Sequence, residues 1–111
     1  MGGGDGMSTF ALLTRLSPEA VREPGQIEQL GKETTQRIHQ LCPEAKWVAS
    51  YAVMGPYDYL DIFEAPNDEV AAKVALIVRS FGHGTTEMWN LQSYDRFVQI
   101  AQQLSKGRAA A

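Results

Sequence analysis

Residues 51–64 read Tyr-Ala-Val-Met-Gly-Pro-Tyr-Asp-Tyr-Leu-Asp-Ile-Phe-Glu, two short alternating runs joined at Gly55-Pro56. Before the glycine, Trp47, Ala49, Tyr51 and Val53 alternate with Val48, Ser50, Ala52 and Met54. After it, Tyr57, Tyr59, Asp61 and Phe63 alternate with Asp58, Leu60, Ile62 and Glu64. A period of two in aromatic and β-branched residues predicts two strands joined by a turn. Apolar side chains fall on both faces of each strand. An antiparallel sheet covered on one side by its own helices normally shows water a polar second face. The pattern therefore implies a cover from outside the monomer, most simply a second copy of the chain.

The flanking sequence supplies the rest of an α+β domain. Ser8–Leu16 alternates Phe10, Leu12, Thr14 and Leu16 with Ala11, Leu13 and Arg15, a strand with neither face wholly polar. Ser17-Pro18-Glu19 and Pro24-Gly25 mark an irregular stretch placed to act as a lid. Across Gln26–Leu41, Ile27, Leu30, Thr34, Ile38 and Leu41 recur every three or four residues, which predicts an amphipathic helix stopped by Pro43. Asn67 or Asp68 caps a second helix over residues 70–81. That helix is almost continuously apolar, which again points to a subunit contact. Gly82-His83-Gly84 allows a reversal into a strand at 85–91, and Ser93 caps a last helix with Phe97, Ile100, Ala101 and Leu104 on one face. The order strand, helix, strand, strand, helix, strand is the ferredoxin-like βαββαβ arrangement with a four-stranded antiparallel sheet, here with a C-terminal helix added. The expected layout is a leader at residues 1–7, one domain at 8–105 and a fraying tail at 106–111.

Composition narrows the function. With 111 residues the chain has length for one domain. A net charge of -3, with no Lys/Arg cluster, argues against a nucleic-acid partner. No apolar run approaches the roughly 20 residues that cross a bilayer. A single cysteine, Cys42, has no internal partner, and the N-terminus lacks a basic-then-apolar signal, so a reducing cytoplasmic setting is expected.

Three fragments together carry a resemblance: Gly55-Pro56-Tyr57-Asp58, Glu64-Ala65-Pro66-Asn67-Asp68 and Phe81-Gly82-His83-Gly84-Thr85-Thr86. In these the chain resembles the GYD domain family, named for its Gly-Tyr-Asp signature, from Ser8 to about Gln103. The resemblance implies a dimeric α/β barrel, two ferredoxin-like sheets packed face to face. The superfamily holds cofactor-independent monooxygenases, isomerases, decarboxylases and ligand-sensing domains of leucine-responsive regulators, but the GYD family brings no defined activity to transfer. Pro56 inside the signature, Asn67 and His83 depart from the commoner family pattern.

Each candidate site residue carries two readings. Gly55 supplies a backbone angle other residues resist, and Pro56 stiffens the turn. Tyr57 either places its hydroxyl in a cavity between sheet and helices or is a hydrogen-bonded aromatic at the sheet margin. Asp58 either accepts N-H groups to fix the turn or acts as a general base. Glu64 is a carboxylate paired across an interface or a solvated edge charge. His83, an imidazole between two sterically open glycines, is either simply exposed in a glycine turn or a catalytic or ligand-binding group. Trp47, Tyr51, Met88 and Trp89 line either an apolar pocket or a sheet core or subunit interface. His39 and Cys42 share a helix face but lack the further ligands of a metal site or the orienting group of a nucleophile pair. No cofactor or metal is expected.

Two functions follow. One is a homo-oligomeric, non-catalytic module that binds a small molecule or another protein, with Tyr51, Tyr57, Glu64, His83 and Trp89 as its ligand-binding residues. The other is a cofactor-free enzyme acting on a small, partly apolar substrate, with His83 or Asp58 moving a proton and Tyr57 holding an oxyanion.

Overall fold

Five consecutive residues of β1 (Ser8–Leu16), Phe10, Ala11, Leu12, Leu13 and Thr14, are all buried, which requires a strand flanked on both sides and at least partly covered on both faces. In the computed structural model, which describes residues 6–18, 23–81 and 83–110, β1 is indeed central. It pairs antiparallel with β3 (Tyr59–Ala65) on one side and β4 (His83–Leu91) on the other, and β2 (Lys46–Ala52) adds to β3. The sheet order β2-β3-β1-β4 is that of the ferredoxin-like fold. Both α1 (Gln26–Leu41) and α2 (Asp68–Ser80) are crossover helices, and α3 (Tyr94–Ala110) follows β4. Most of the expected N-terminal leader, and residues 19–22 of the expected lid, lie outside the described residues.

The helices cover one face of the sheet. Phe10, Leu12, Phe63 and Ala65 meet Val70, Ala71, Val74, Ile77 and Val78 of α2, and Ile38 and Cys42 at the end of α1. Phe63 is fully buried in the middle of an aromatic stack. Its ring lies 5.0 Å from Trp47 at 9° and 5.6 Å from Phe10 at 24°, offset geometries that add to the burial term. Thr34, the other buried residue of α1, donates its hydroxyl to the Leu30 carbonyl at 2.7 Å, so its polarity is satisfied within the helix. Asn67 caps α2 by accepting the Val70 amide at 2.9 Å, with Asp68 and Glu69 at the positive helix end.

Four details depart from the sequence pattern. Pairing slips between Trp47 and Ala49, so Val48 is an extra residue in β2. Trp47 then shares the helix side with Phe63, while Tyr51, opposite Leu60, lies on the other face. An unbroken alternation had put Trp47 and Tyr51 together; one inserted residue reverses that relation. His83 is the first residue of β4, opposite Leu16, rather than the tip of a reversing turn. Gly84 is the glycine the packing requires: a Cβ there would lie 3.0 Å from the Arg15 carbonyl oxygen and 3.1 Å from the Ser17 nitrogen, beside an irregularity between Arg15 and Leu16. Gly55, by contrast, has no positive φ, and a Cβ on it would meet open space, so the expected conformational demand is absent there. Finally, α3 continues as helix through Gly107 to Ala110.

Phe63→Ala should cost about 3–5 kcal/mol in denaturant unfolding, the range for emptying a packed aromatic site. Thr14 gives a contrasting case, because its hydroxyl is buried without a hydrogen-bond partner. Thr14→Val, nearly isosteric, should leave stability unchanged or raise it by about 1 kcal/mol; a clear loss would show that the hydroxyl is satisfied.

Candidate functional site

The face of the sheet turned away from α1 and α2 is built from the other half of each alternation: Ala11, Leu13 and Arg15 of β1, Leu60, Ile62 and Glu64 of β3, Tyr51 of β2, and Glu87, Trp89 and Leu91 of β4. Leu60, Ile62 and Leu91 are half-buried, while Tyr51 is 56% and Trp89 47% exposed. The apolar group runs across all four strands. Exposed apolar surface that is contiguous, rather than scattered, marks an interaction surface.

A polar chain borders this patch. Tyr57, partly buried, reaches across β1 and donates its hydroxyl to Glu87 Oε2. The Trp89 indole N-H donates to Glu87 Oε1 at 2.9 Å, so one carboxylate holds two aromatic donors from separate places in the chain. The Arg15 guanidinium lies 5.5 Å from the Tyr57 ring centroid and donates through Nε to the Pro56 carbonyl at 2.8 Å. These bonds displace both groups from their ordinary titration. Glu87 is held below the usual carboxylate range by the Trp89 and Tyr57 donors, and Tyr57 is pushed above the usual phenol value, first by its bond to Glu87 and then by desolvation. The phenol is thereby kept as a donor.

Asp58 does structural work beside it. Its Oδ2 accepts the Leu16 amide at 2.8 Å, its own amide donates to the Thr14 carbonyl at 2.8 Å, and its carbonyl accepts the Val53 amide at 2.9 Å. The first two bonds fasten the β2–β3 connection to the end of β1, and the third closes that connection on itself. Among the other candidates, Glu64 is half-buried on the open face, flanked in register by Thr9 and Lys46. His83 stands at the start of β4. Cys42 is packed in the core, and burial pushes its thiol up, the opposite of an activated nucleophile.

The structure thus brings Tyr51, Tyr57, Glu64 and Trp89 to one face, and the open one. A pocket between sheet and helices that Tyr57 could enter is not formed, because Tyr57 lies on the opposite side of the sheet from both helices. Trp47 and Met88 belong to the helix side, so the expected group of Trp47, Tyr51, Met88 and Trp89 is divided. Sequence reasoning missed Arg15 and Glu87. Their signal was present, since both stand on the open-face phase of their strands and Glu87 is two residues from Trp89.

This geometry defines a ferredoxin-like α+β domain with one sheet face only partly covered. The chain belongs to the GYD domain family, whose model matches residues 10–101. It is similar to the glutamine synthetase and cystathionine beta-lyase binding protein of Thermus thermophilus, 30% identical over 80 residues that cover 68% of this chain and 79% of that protein. Two solved structures share the fold. MtbAldR superposes with a TM-score of 0.56 at 15% identity, covering 77% of this chain and 51% of its own. PH0061 does so with a TM-score of 0.54 at 7% identity, covering 82% and 55%. The chain spans about half the length of each. Among the described residues no helix is long and apolar enough to cross a membrane.

The Tyr57–Glu87 bond predicts a titration. Tyr57 contributes stability below its unfolded value, lost as pH rises through its raised folded value; Glu87 contributes above its unfolded value, lost as pH falls through its lowered one. Glu87→Ala should move one tyrosine ionisation to lower pH in ultraviolet difference titration, and Tyr57→Phe should remove that same step. An unchanged alkaline titration in Glu87→Ala would show that the bond does not form in solution.

Proposed function

We propose that this chain is a non-catalytic interaction module that works as a homo-oligomer, pairing its bare sheet face with that of a second copy to form a dimeric α/β barrel, and that its further partner is a metabolic enzyme. One observation carries the reading: a four-stranded face with Leu60, Ile62 and Leu91 only half-buried and Tyr51 and Trp89 about half exposed. Covering such a face removes apolar area from water at about 25 cal/mol per Å². The name of the Thermus thermophilus relative, which describes binding to two enzymes, supports a protein partner. The lone cysteine, packed in the core, suits a reducing cytoplasm.

The alternative is a cofactor-free enzyme in which His83 or Asp58 moves a proton and Tyr57 holds an oxyanion, and two observations favour the first reading over it. The Asp58 carboxylate is engaged by the Leu16 amide, and the Tyr57 hydroxyl is donated to Glu87 rather than aimed at a substrate cavity.

Leu60→Asp and Ile62→Asp should each reduce the particle mass measured by light scattering to that of a smaller species, because an unpaired carboxylate in a closed apolar interface is costly. Wild-type protein that stays a folded monomer at micromolar concentration would refute the pairing. Purified glutamine synthetase and cystathionine beta-lyase from the source organism should bind the wild-type chain in an interferometry assay; absence of binding by both at about 10 µM would refute the enzyme-partner half alone.

A further inference from the structure

The outward side of α2 carries a patterned face. Asp68, Ala72, Ala75 and Arg79 follow one another at steps of four, three and four, so they lie along one line of the helix. That line borders an open groove of about 510 Å³ between α2 and the edge strand β4, within the roughly 300–1,000 Å³ of small-molecule sites. The alanines leave the room, because no longer side chain fills the middle of the face. Phe10 and Met88 of the sheet and Leu76 of the helix, 61% exposed, supply apolar walls. Phe10 and Met88 belong to the helix side of the sheet, so the groove is separate from the open sheet face.

The two ends of the groove are charged and opposite in sign. At one end Arg79, in the last turn of α2, reaches across to β4 and donates through Nε to Thr86 Oγ1 at 2.9 Å. Both residues line the groove. The bond holds the guanidinium at the groove's end, and its terminal amino groups make no hydrogen bond or ion pair with the other described residues. A guanidinium held in this way offers a fork of two N–H donors that matches a carboxylate. At the other end Asp68 repels an anion, which sets the direction in which a ligand with one acidic end would lie. Eight residues from Ala71 to Arg79 span roughly 12 Å. An extended hydrocarbon with bonds of about 1.5 Å, advancing roughly 1.3 Å each, covers that distance with about ten carbons.

The chain's last helix does not match this chemistry. The apolar stripe of α3, Phe97, Ile100, Ala101 and Leu104, contains no acid. Its one carboxylate, Asp95, stands nine residues before Leu104, which is two and a half turns and therefore the opposite side of the helix. Seating the stripe in the groove, from this chain or from a second copy, would turn Asp95 away from Arg79 and set apolar side chains against the guanidinium. A slender ligand with one acidic end meets both the charge and the apolar walls.

We infer that the α2–β4 groove binds a free, unbranched carboxylic acid of about eight to twelve carbons, its carboxylate on Arg79 and its tail over Ala75 and Ala72 toward Asp68. Calorimetric titration of the full-length chain with sodium octanoate and with 1-octanol tests the assignment. Octanoate should bind one per chain, and octanol, which lacks the anion, about tenfold more weakly or worse. Arg79→Gln should weaken octanoate by about the same factor and leave octanol unchanged, while Ala72→Phe, which fills the groove from an exposed position, should remove both. Absence of octanoate binding up to about 2 mM, or equal affinity for acid and alcohol, overturns the proposal. Octanoate binding that survives Ala72→Phe also overturns it, since the ligand would then sit elsewhere, the open sheet face included. Phe97→Asp/Leu104→Asp should bind octanoate as the wild type does; binding about tenfold tighter would show that α3 occupies the groove and would overturn its assignment to the acid.

Discussion

A four-stranded sheet has two faces, and this chain has two helices positioned to cover one of them. Everything else in the structure is a response to that shortage. The central strand is buried on both sides, with Leu12 under the helices and Leu13 on the opposite side, yet only the first of these environments is a closed core. The second is roofed in part by Tyr57, whose hydroxyl reaches from the β2–β3 connection across β1 to Glu87. One aromatic side chain cannot cover the patch from Tyr51 to Trp89, and the remainder is exposed apolar surface of the kind that marks an interaction site.

The helical side obeys a different economy of contacts. Trp47, Phe63 and Phe10 stack in register across three neighbouring strands, and α2 supplies the aliphatic layer above them. Because α2 contributes Val70, Ala71, Val74, Ile77 and Val78 to that layer, its outward residues Ala72 and Leu76 are left over. These surplus apolar residues leave the α2–β4 margin partly apolar and open to water.

Much of this was readable from residue order. Ser8–Leu16 and Gln26–Leu41 begin and end where the period and Pro43 placed them, and the caps Asn67 and Ser93 were identifiable from side-chain chemistry alone. The two-faced apolar pattern of β3 also translated directly into one closed and one open face. What escaped was anything set by pairing between strands. The inserted Val48 reverses the phase of β2 without leaving a local signature, because a bulge is a mismatch between two segments and neither segment alone contains it. The roles of Arg15 and Glu87 depend likewise on Tyr57 crossing a strand, a contact 30 residues long in sequence. Gly55 was misread for a related reason: glycine permits unusual angles, and permission is not use.

The corner formed by Pro56, Tyr57 and Asp58 has a meaning of its own. Arg15 grips the Pro56 carbonyl, Asp58 is threaded onto the Thr14 carbonyl and the Leu16 amide, and Gly84 makes room for the backbone where β1 bends next to β4. A hairpin tip that would otherwise swing free is thereby bolted to the middle of the sheet. In this chain the Pro56-Tyr57-Asp58 corner works as a joint, bracing the β2–β3 ribbon against β1.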